Sequence, residues 1–437
     1  MNPEKLKFIK EHAKDIRPTA TDESTVKDIE DVEKGRPVYE NRIDALLERY
    51  ETKILTYERR DVAVGTSKIL LEASQPANYS VAAPLVEDLM QDPRCAGITL
   101  LTDNVAGQQF EQSGAQLHLV REEKRPVMAD IPAGPYDVAL IFDEPQNTPQ
   151  PVLLYGAKSV YGAKKLYFFA GGLGGEETQR ILGPNADSKM DTIDGIFVDD
   201  ELSKQLLCEI AHVPKEKVIV TGSPLIESLE PEKAKELRSI GREKLKISDS
   251  ASVVFYAGVV TADFKVSGGG DDLNLHTYIE TLEGVRIAAH HDPSREYVLA
   301  VRSHPRARDI ETLPIPSELP ANVRIVSGEG ISYDEVVYAA DVMCQNPLSS
   351  EVVLASYRGR TLAVFAYEGE HQFGQLCERI YGKEGIRIIR DSGRAVFAES
   401  SQGLASILEQ HTESPQPIPK PLGSAREKIK EILLTNR

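Results

Sequence analysis

The chain has 437 residues, 41% of them hydrophobic and 27% charged, a globular composition in a length that exceeds one hydrophobic core and points to two domains. A formal net charge of −17 opposes long-range attraction to nucleic acid or anionic membrane, although a local basic patch could still hold a phosphorylated small molecule. No run of about 18 apolar residues occurs and the start MNPEKLKFIKEHAKDIRP carries charge throughout, so no transmembrane segment and no secretory signal are expected, and the predicted location is cytoplasmic.

Residues 1–60 are charge-rich, with a weak helical pattern in Ile43, Leu46, Leu47 and Tyr50 and no strand-like run. They read as a helical N-terminal arm that packs on the body or pairs the chain with a second copy, a homo-oligomer contact. From Asp61 the texture changes: VAVGTSKILLEA (62–73) is aliphatic and β-branched, and a Pro, Asn and Ser loop leads into the helical VAAPLVEDLMQD. Further strands are predicted at 97–103, 115–120, 136–144, 165–171, 194–200 and 217–223, with helical segments such as VLLYGAKSV and ELSKQLLCEIA between several of them. Short, continuous apolar strands are what a parallel sheet covered on both faces requires, so 61–230 is read as one Rossmann-like domain.

The polar helical stretch PEKAKELRSIGREKLKI (231–247) precedes a second series of strands at 252–258, 296–303, 322–328, 340–346, 360–367 and 386–391. The helices LHTYIETLEGVRIAA and SSEVVLASYRG fall between them, giving a second doubly wound domain over 231–412. A Pro-rich linker and the terminal helix SAREKIKEILLTNR complete the chain as 413–437. Cys95, Cys208, Cys344 and Cys377 are far apart without CxxC spacing, and read as reduced thiols instead of zinc ligands or a disulfide framework.

Three stretches carry a resemblance: FFAGGLGG (168–175) followed by DGIFVDDELSKQLLCEIAHVPKEKVIVTGSPLIESL (194–229), then LAVRSHPRAR (299–308), then VRIVSGEGISYDEVVYAADVMCQNPLSSEVVLASYRGRTLAVF (323–365). In order and spacing they resemble the non-hydrolysing UDP-N-acetylglucosamine 2-epimerases and related glycosyltransferases and CDP-glycerol phosphotransferases of the GT-B superfamily. The resemblance implies an α/β fold of two Rossmann-like parallel-sheet domains facing across a cleft, with acceptor bound by the first and nucleotide-sugar donor by the second. Two departures stand out: the glycine loop lacks the acidic residue and arginine that the epimerases place around it, and AGVVTADF (257–264) supplies no His-Arg-Glu element. Both lower the epimerase reading below the transferase one.

Arg302, His304, Arg306 and Arg308 follow a strand at the carboxyl end where open α/β sheets bind ligands, and arginine pairs with phosphate in bidentate fashion. The plain alternative is a solvated loop salt-bridged to Asp309 and Glu311. Ser349, Ser350 and Glu351 open a helix; the serines offer a phosphate contact, and the resemblance puts donor ribose on Glu351. An ordinary N-cap by Ser349 is the competing reading. Arg358 and Arg360 read as surface charges after that helix.

Gly172, with Gly171, Gly174 and Gly175, forms a loop that is either sugar-facing or a tight turn. Asn78 contacts acceptor or caps a helix, with capping the safer assignment. Asp143 and Glu144, at a strand end near the position of the epimerases' catalytic Asp, are the candidate general bases. No constellation completes a metal site, so none is assigned; the nucleotide-activated sugar is substrate, and no cofactor is expected. The leading expectation is a metal-independent transfer of a sugar or polyol phosphate from a nucleotide-activated donor to an unidentified acceptor, in polysaccharide biosynthesis. The alternatives are a UDP-sugar 2-epimerase-like enzyme and a non-catalytic sugar-nucleotide-binding or scaffold protein.

Overall fold

A computed structural model describes residues 34, 52–58, 66–73, 76–103, 108–110, 118–123, 135–142, 157–158, 161–171, 190–229, 231–257, 273–302, 316, 318–328, 330–345, 351–365, 374–410, 417–420 and 423–435. Contacts divide the chain into two compact units, one drawn from Met1–Glu227 with Pro421–Arg437, the other from Ser228–Lys420. Each is a β-sheet flanked by helices, the two-Rossmann α/β architecture expected.

In the first unit β1 (Thr52–Glu58), β2 (Ser67–Ala73), β3 (Cys95–Asp103), β4 (His118–Glu123), β5 (Val138–Ile141), β6 (Lys165–Ala170), β7 (Gly195–Val198) and β8 (Val218–Val220) lie in the order β4-β1-β3-β2-β5-β6-β7-β8. Alternation along β2 explains the apolar run. Ile69, Leu71 and Ala73 enter one buried cluster with Leu85, Val86 and Leu89 of α1 (Pro76–Gln91), while Leu70 enters another with Leu207 of α2 (Glu201–Glu209). A short helix, α3 (Pro224–Ser228), follows β8.

The region read as a helical arm without a strand ends in one. β1 pairs antiparallel with β3 and with β4, the only antiparallel strand of the described sheet. TKILTYE is rich in Thr, Ile and Tyr, which favour strands, and this signal is overlaid by the charge of its surroundings. Apart from residue 34, the remainder of the arm lies outside the described residues.

The second unit starts with α4 (Ala234–Lys244) and continues through β9 (Ser252–Ala257), α5 (Leu273–His291), β10 (Tyr297–Arg302), β11 (Val323–Ser327), α6 (Tyr333–Ala339), β12 (Val342–Gln345), α7 (Glu351–Tyr357), β13 (Thr361–Phe365), α8 (Gly374–Asp391), β14 (Val396–Ala398) and α9 (Ser401–Gln410). The strand order is β11-β10-β9-β12-β13-β14, and every pair is parallel. The order reverses between β9 and β12, the topological switch point where doubly wound sheets bind ligands.

Residues 386–391, expected as a strand, are the second half of α8. Gly385, Ile388 and Ile389 are buried at helical spacing, and Arg387 pairs with Glu384 and Asp391 along the helix surface. The last strand is instead β14, three residues long and too short to stand out. The terminal helix, α10 (Ala425–Thr435), buries Ile429, Leu433 and Leu434 in the first unit's core beside α1.

Two features fix α4 to the second sheet. Arg242, 1% exposed, donates to the carbonyls of Ser248, Asp249, Ala251 and Ala339 and to the Asp341 carboxylate, which also accepts from the Val253 amide at 2.8 Å. Burial draws the Arg242 pKa below the ordinary arginine value, against the opposing pull of Asp341. Gly241 allows the close approach of α4 to α6, since a Cβ there would lie 2.1 Å from the Glu335 carbonyl oxygen. Helix propensity alone favours alanine over glycine by about 1 kcal/mol. Gly241→Ala is nonetheless expected to lower stability by about 1–3 kcal/mol, because the clash is with backbone. Urea unfolding checks this, and a stabilised variant would show that α4 is free to shift.

Candidate functional site

Two of the candidate residues, Arg302 and Glu351, meet at the carboxyl end of the second sheet, around Tyr333 at the start of α6. Ser332 caps that helix: its hydroxyl accepts from the Glu335 amide at 3.2 Å, and the Glu335 carboxylate accepts from the Ser332 amide at 3.3 Å. Lys244 of α4 reaches the same carboxylate at 2.7 Å. This reciprocal cap fixes where Tyr333 and Asp334 point.

Tyr333 packs edge-on against Phe255 of β9, with ring centroids 5.8 Å apart. Its hydroxyl donates to Glu351 Oε1 at 3.1 Å, and the guanidinium groups of Arg302 and Arg358 each lie 5.7 Å from its ring centroid. Burial, and then the neighbouring Glu351 carboxylate, push the Tyr333 phenol well above its ordinary pKa, so it remains a donor.

Glu351, the first residue of α7, is buried. Arg358 Nη1 donates to both of its oxygens at 2.9 and 2.8 Å, and Arg358 Nη2 donates to Asp334 Oδ1 at 3.0 Å. Arg358 and Arg360, expected on the surface, are 4% and 5% exposed. Their position just past α7 hides that the chain turns inward there to enter β13. Burial opposes the charge of Arg358, but Glu351 and Asp334 overcome this and hold its pKa above the ordinary value. Arg360 has burial as its dominant influence, followed by the like charge of Arg238, and falls to about 10.

Arg302 ends β10 and differs in kind from Arg358. Its Nη1 donates to the Ile331 carbonyl at 2.8 Å and it stacks on Tyr333, but among the described residues no carboxylate pairs with it; Asp309 and Glu311, the partners offered by the plain alternative, lie outside them. It is half-buried, and its remaining N–H groups have the geometry that pairs with anions.

The other candidates are not brought to this place by the described structure. His304, Arg306, Ser349, Ser350, Gly172, Asp143 and Glu144 lie outside the described residues. Asn78 is the third residue of α1, inside the helix and past the cap position to which it was assigned. Among the described residues no group of three or more His, Cys, Asp or Glu could hold a metal ion, and no helix is long and apolar enough to cross a membrane. His291 of α5 meets Glu409 of α9 at 2.7 Å. Sequence reasoning passed over Tyr333, whose signal was the Ser-Tyr-Asp-Glu capping box, and Gln345, which closes β12.

Removing the Glu351 carboxylate strands Arg358 in the interior. Glu351→Ala is therefore expected to cost about 3–5 kcal/mol, and Tyr333→Phe, which loses one hydrogen bond, about 1 kcal/mol. Denaturant unfolding of both variants checks this, and near-equal small losses would show that the ion pair is dispensable.

The chain matches no protein-family model and no curated protein. Among solved structures, UDP-GlcNAc 2-epimerase from Neisseria meningitidis, bound to UDP-GlcNAc, is similar at a TM-score of 0.54 and 15% identity, covering 84% of this chain and 100% of that one. UDP-GlcNAc 2-epimerase from Methanocaldococcus jannaschii is similar at a TM-score of 0.50 and 13% identity, over 84% of this chain and 99% of the other. The wall teichoic acid polymerase TagF aligns at a TM-score of 0.46 and 12% identity, over 94% and 96%. The likeness to the two epimerases is distant and one of fold: this chain has the two-Rossmann architecture of the GT-B enzymes.

Proposed function

We propose that the chain is a transferase that takes a sugar or polyol phosphate from a nucleotide-activated donor held at the carboxyl end of the second sheet. The observation that carries this reading is the contrast between two arginines sharing one tyrosine. Arg358 is neutralised by two carboxylates, whereas Arg302 has none among the described residues. An uncompensated, half-buried guanidinium beside the switch point of a doubly wound sheet suits a diphosphate. The Neisseria epimerase, of similar fold, is bound to UDP-GlcNAc, which supports a nucleotide-activated sugar as the ligand class.

In this reading Arg302 takes the donor diphosphate, with His304, Arg306, Ser349 and Ser350 as further contacts. Glu351, held in direction by Arg358 and Tyr333, accepts from ribose hydroxyls. The first domain, 61–230, binds acceptor near Asn78 and Gly172, and Asp143 or Glu144 removes the acceptor proton. Leaving-group charge is stabilised by Arg302 and the other basic contacts, which needs no metal ion. The residues 231–412 form the donor domain, and the N-terminal segment 1–60 serves assembly.

Product analysis separates the classes: a transferase releases nucleotide only when acceptor is present, an epimerase consumes a UDP-sugar alone, and a binding protein turns over nothing. Arg302→Ala is expected to weaken nucleotide binding by about 1–3 kcal/mol with the fold intact. Calorimetric titration measures it, and an unchanged affinity in a folded variant contradicts the assignment.

A further inference from the structure

At the carboxyl end of β12, Gln345 is 1% exposed, and among the described residues neither its Nε2 nor its Oε1 has a hydrogen-bond partner. Buried polar side chains are nearly always paired, because a stranded donor or acceptor keeps its desolvation cost with no return. A leucine would fill a similar volume without that cost. The carboxamide therefore works against the stability of the free protein.

Its place in the sheet gives the cost a purpose. Arg302 is in register with Ala257 of β9, and Cys344 of β12 with Tyr256, so Gln345 follows opposite Ala257. Arg302, Ala257 and Gln345 thus form one row across β10, β9 and β12, at the switch point. Side chains alternate between faces along a strand. Tyr256 and Cys344 meet Tyr278 and Thr281 of α5, whereas Phe255 meets Tyr333 of α6, on which Arg302 stacks. Arg302 and Gln345 therefore share the α6 face, two strand spacings or about 10 Å apart, with the small Ala257 between them.

We propose that Gln345 is a ligand contact whose carboxamide pairs with a neutral group of the bound donor, a hydroxyl or a base edge, and not with its phosphate. This rests on the donor reading above. Phosphate oxygens only accept, so they would satisfy Nε2 and leave Oε1 facing an anion, whereas a hydroxyl or base edge both donates and accepts. The anion has its own partner in the row, Arg302. The row holds a charge reader at one end and a neutral reader at the other.

The test uses the full chain carrying Gln345→Leu, measured by thermal unfolding and by calorimetric titration. The probes are inorganic pyrophosphate, the nucleoside diphosphate among UDP, CDP, GDP and ADP that the unaltered chain binds most tightly, and the sugar ester of that nucleotide. The free variant is expected to melt at or above the unaltered Tm, by up to about 4 °C. Pyrophosphate binding stays the same and affinity for the sugar ester falls roughly 10- to 100-fold. A loss that extends to the bare nucleotide assigns the contact to the nucleoside, and a loss confined to the ester assigns it to the transferred group; both support the proposal. Unchanged affinity for nucleotide and ester, or an equal loss for pyrophosphate, overturns it while leaving the donor reading intact. An unaltered chain that binds no nucleotide overturns the donor reading and this proposal together. Should Gln345→Leu melt lower, Gln345→Met, which is unbranched and flexible, carries the same titrations.

Discussion

Burial of the Arg358 guanidinium is the constraint on which the second unit's candidate site depends. A charge taken out of water needs close compensation, and it comes from Glu351 at the start of α7 and Asp334 in the first turn of α6. Tyr333, bonded to Glu351, ties the pair to the sheet through Phe255. Once those acids are committed to Arg358, Arg302 is left, among the described residues, with a backbone carbonyl and an aromatic face but no counter-charge. One arginine completes the architecture and the other remains open to chemistry.

The same logic extends down the unit. α6 carries both Tyr333 and Asp334, and it is held from below by α4 through the close approach at Gly241 and the Lys244–Glu335 pair. The Arg242–Asp341 pair anchors α4 and the entry to β12 together. The position of β12, and with it Gln345, is therefore set by the buried Arg242–Asp341 pair and by the packing of α4 against α6.

Most of the fold was legible because parallel strands covered on both faces must be apolar along their whole length, and VVFYA, YVLAV and TLAVF leave little room for another reading. The misreadings occurred where that signal weakens. Ile386, Ile388 and Ile389 look like a strand, but their burial follows a helical period, and α8 is interrupted at Gly382, where the backbone turns to a φ of 65°. β1 was obscured by surrounding charge.

The site was less legible than the fold because pairing is a tertiary property. Arg302 and Glu351 were singled out from their places at a strand end and a helix start. Nothing local distinguishes Arg302 from Arg358, or shows that Arg358 is buried between two acids. Gln345 closes a run of apolar residues, and its orphaned carboxamide emerges only when the neighbouring strands are in place.

The proposed donor site lies at the carboxyl ends of β10 and β12. Hydrogen exchange of the full chain, read by mass spectrometry with and without a saturating nucleotide sugar, tests it most directly. Donor bound there is expected to slow exchange in peptides spanning 297–302, 330–345 and 351–358. Protection confined to the first unit, with those peptides unchanged despite measurable binding, would contradict it.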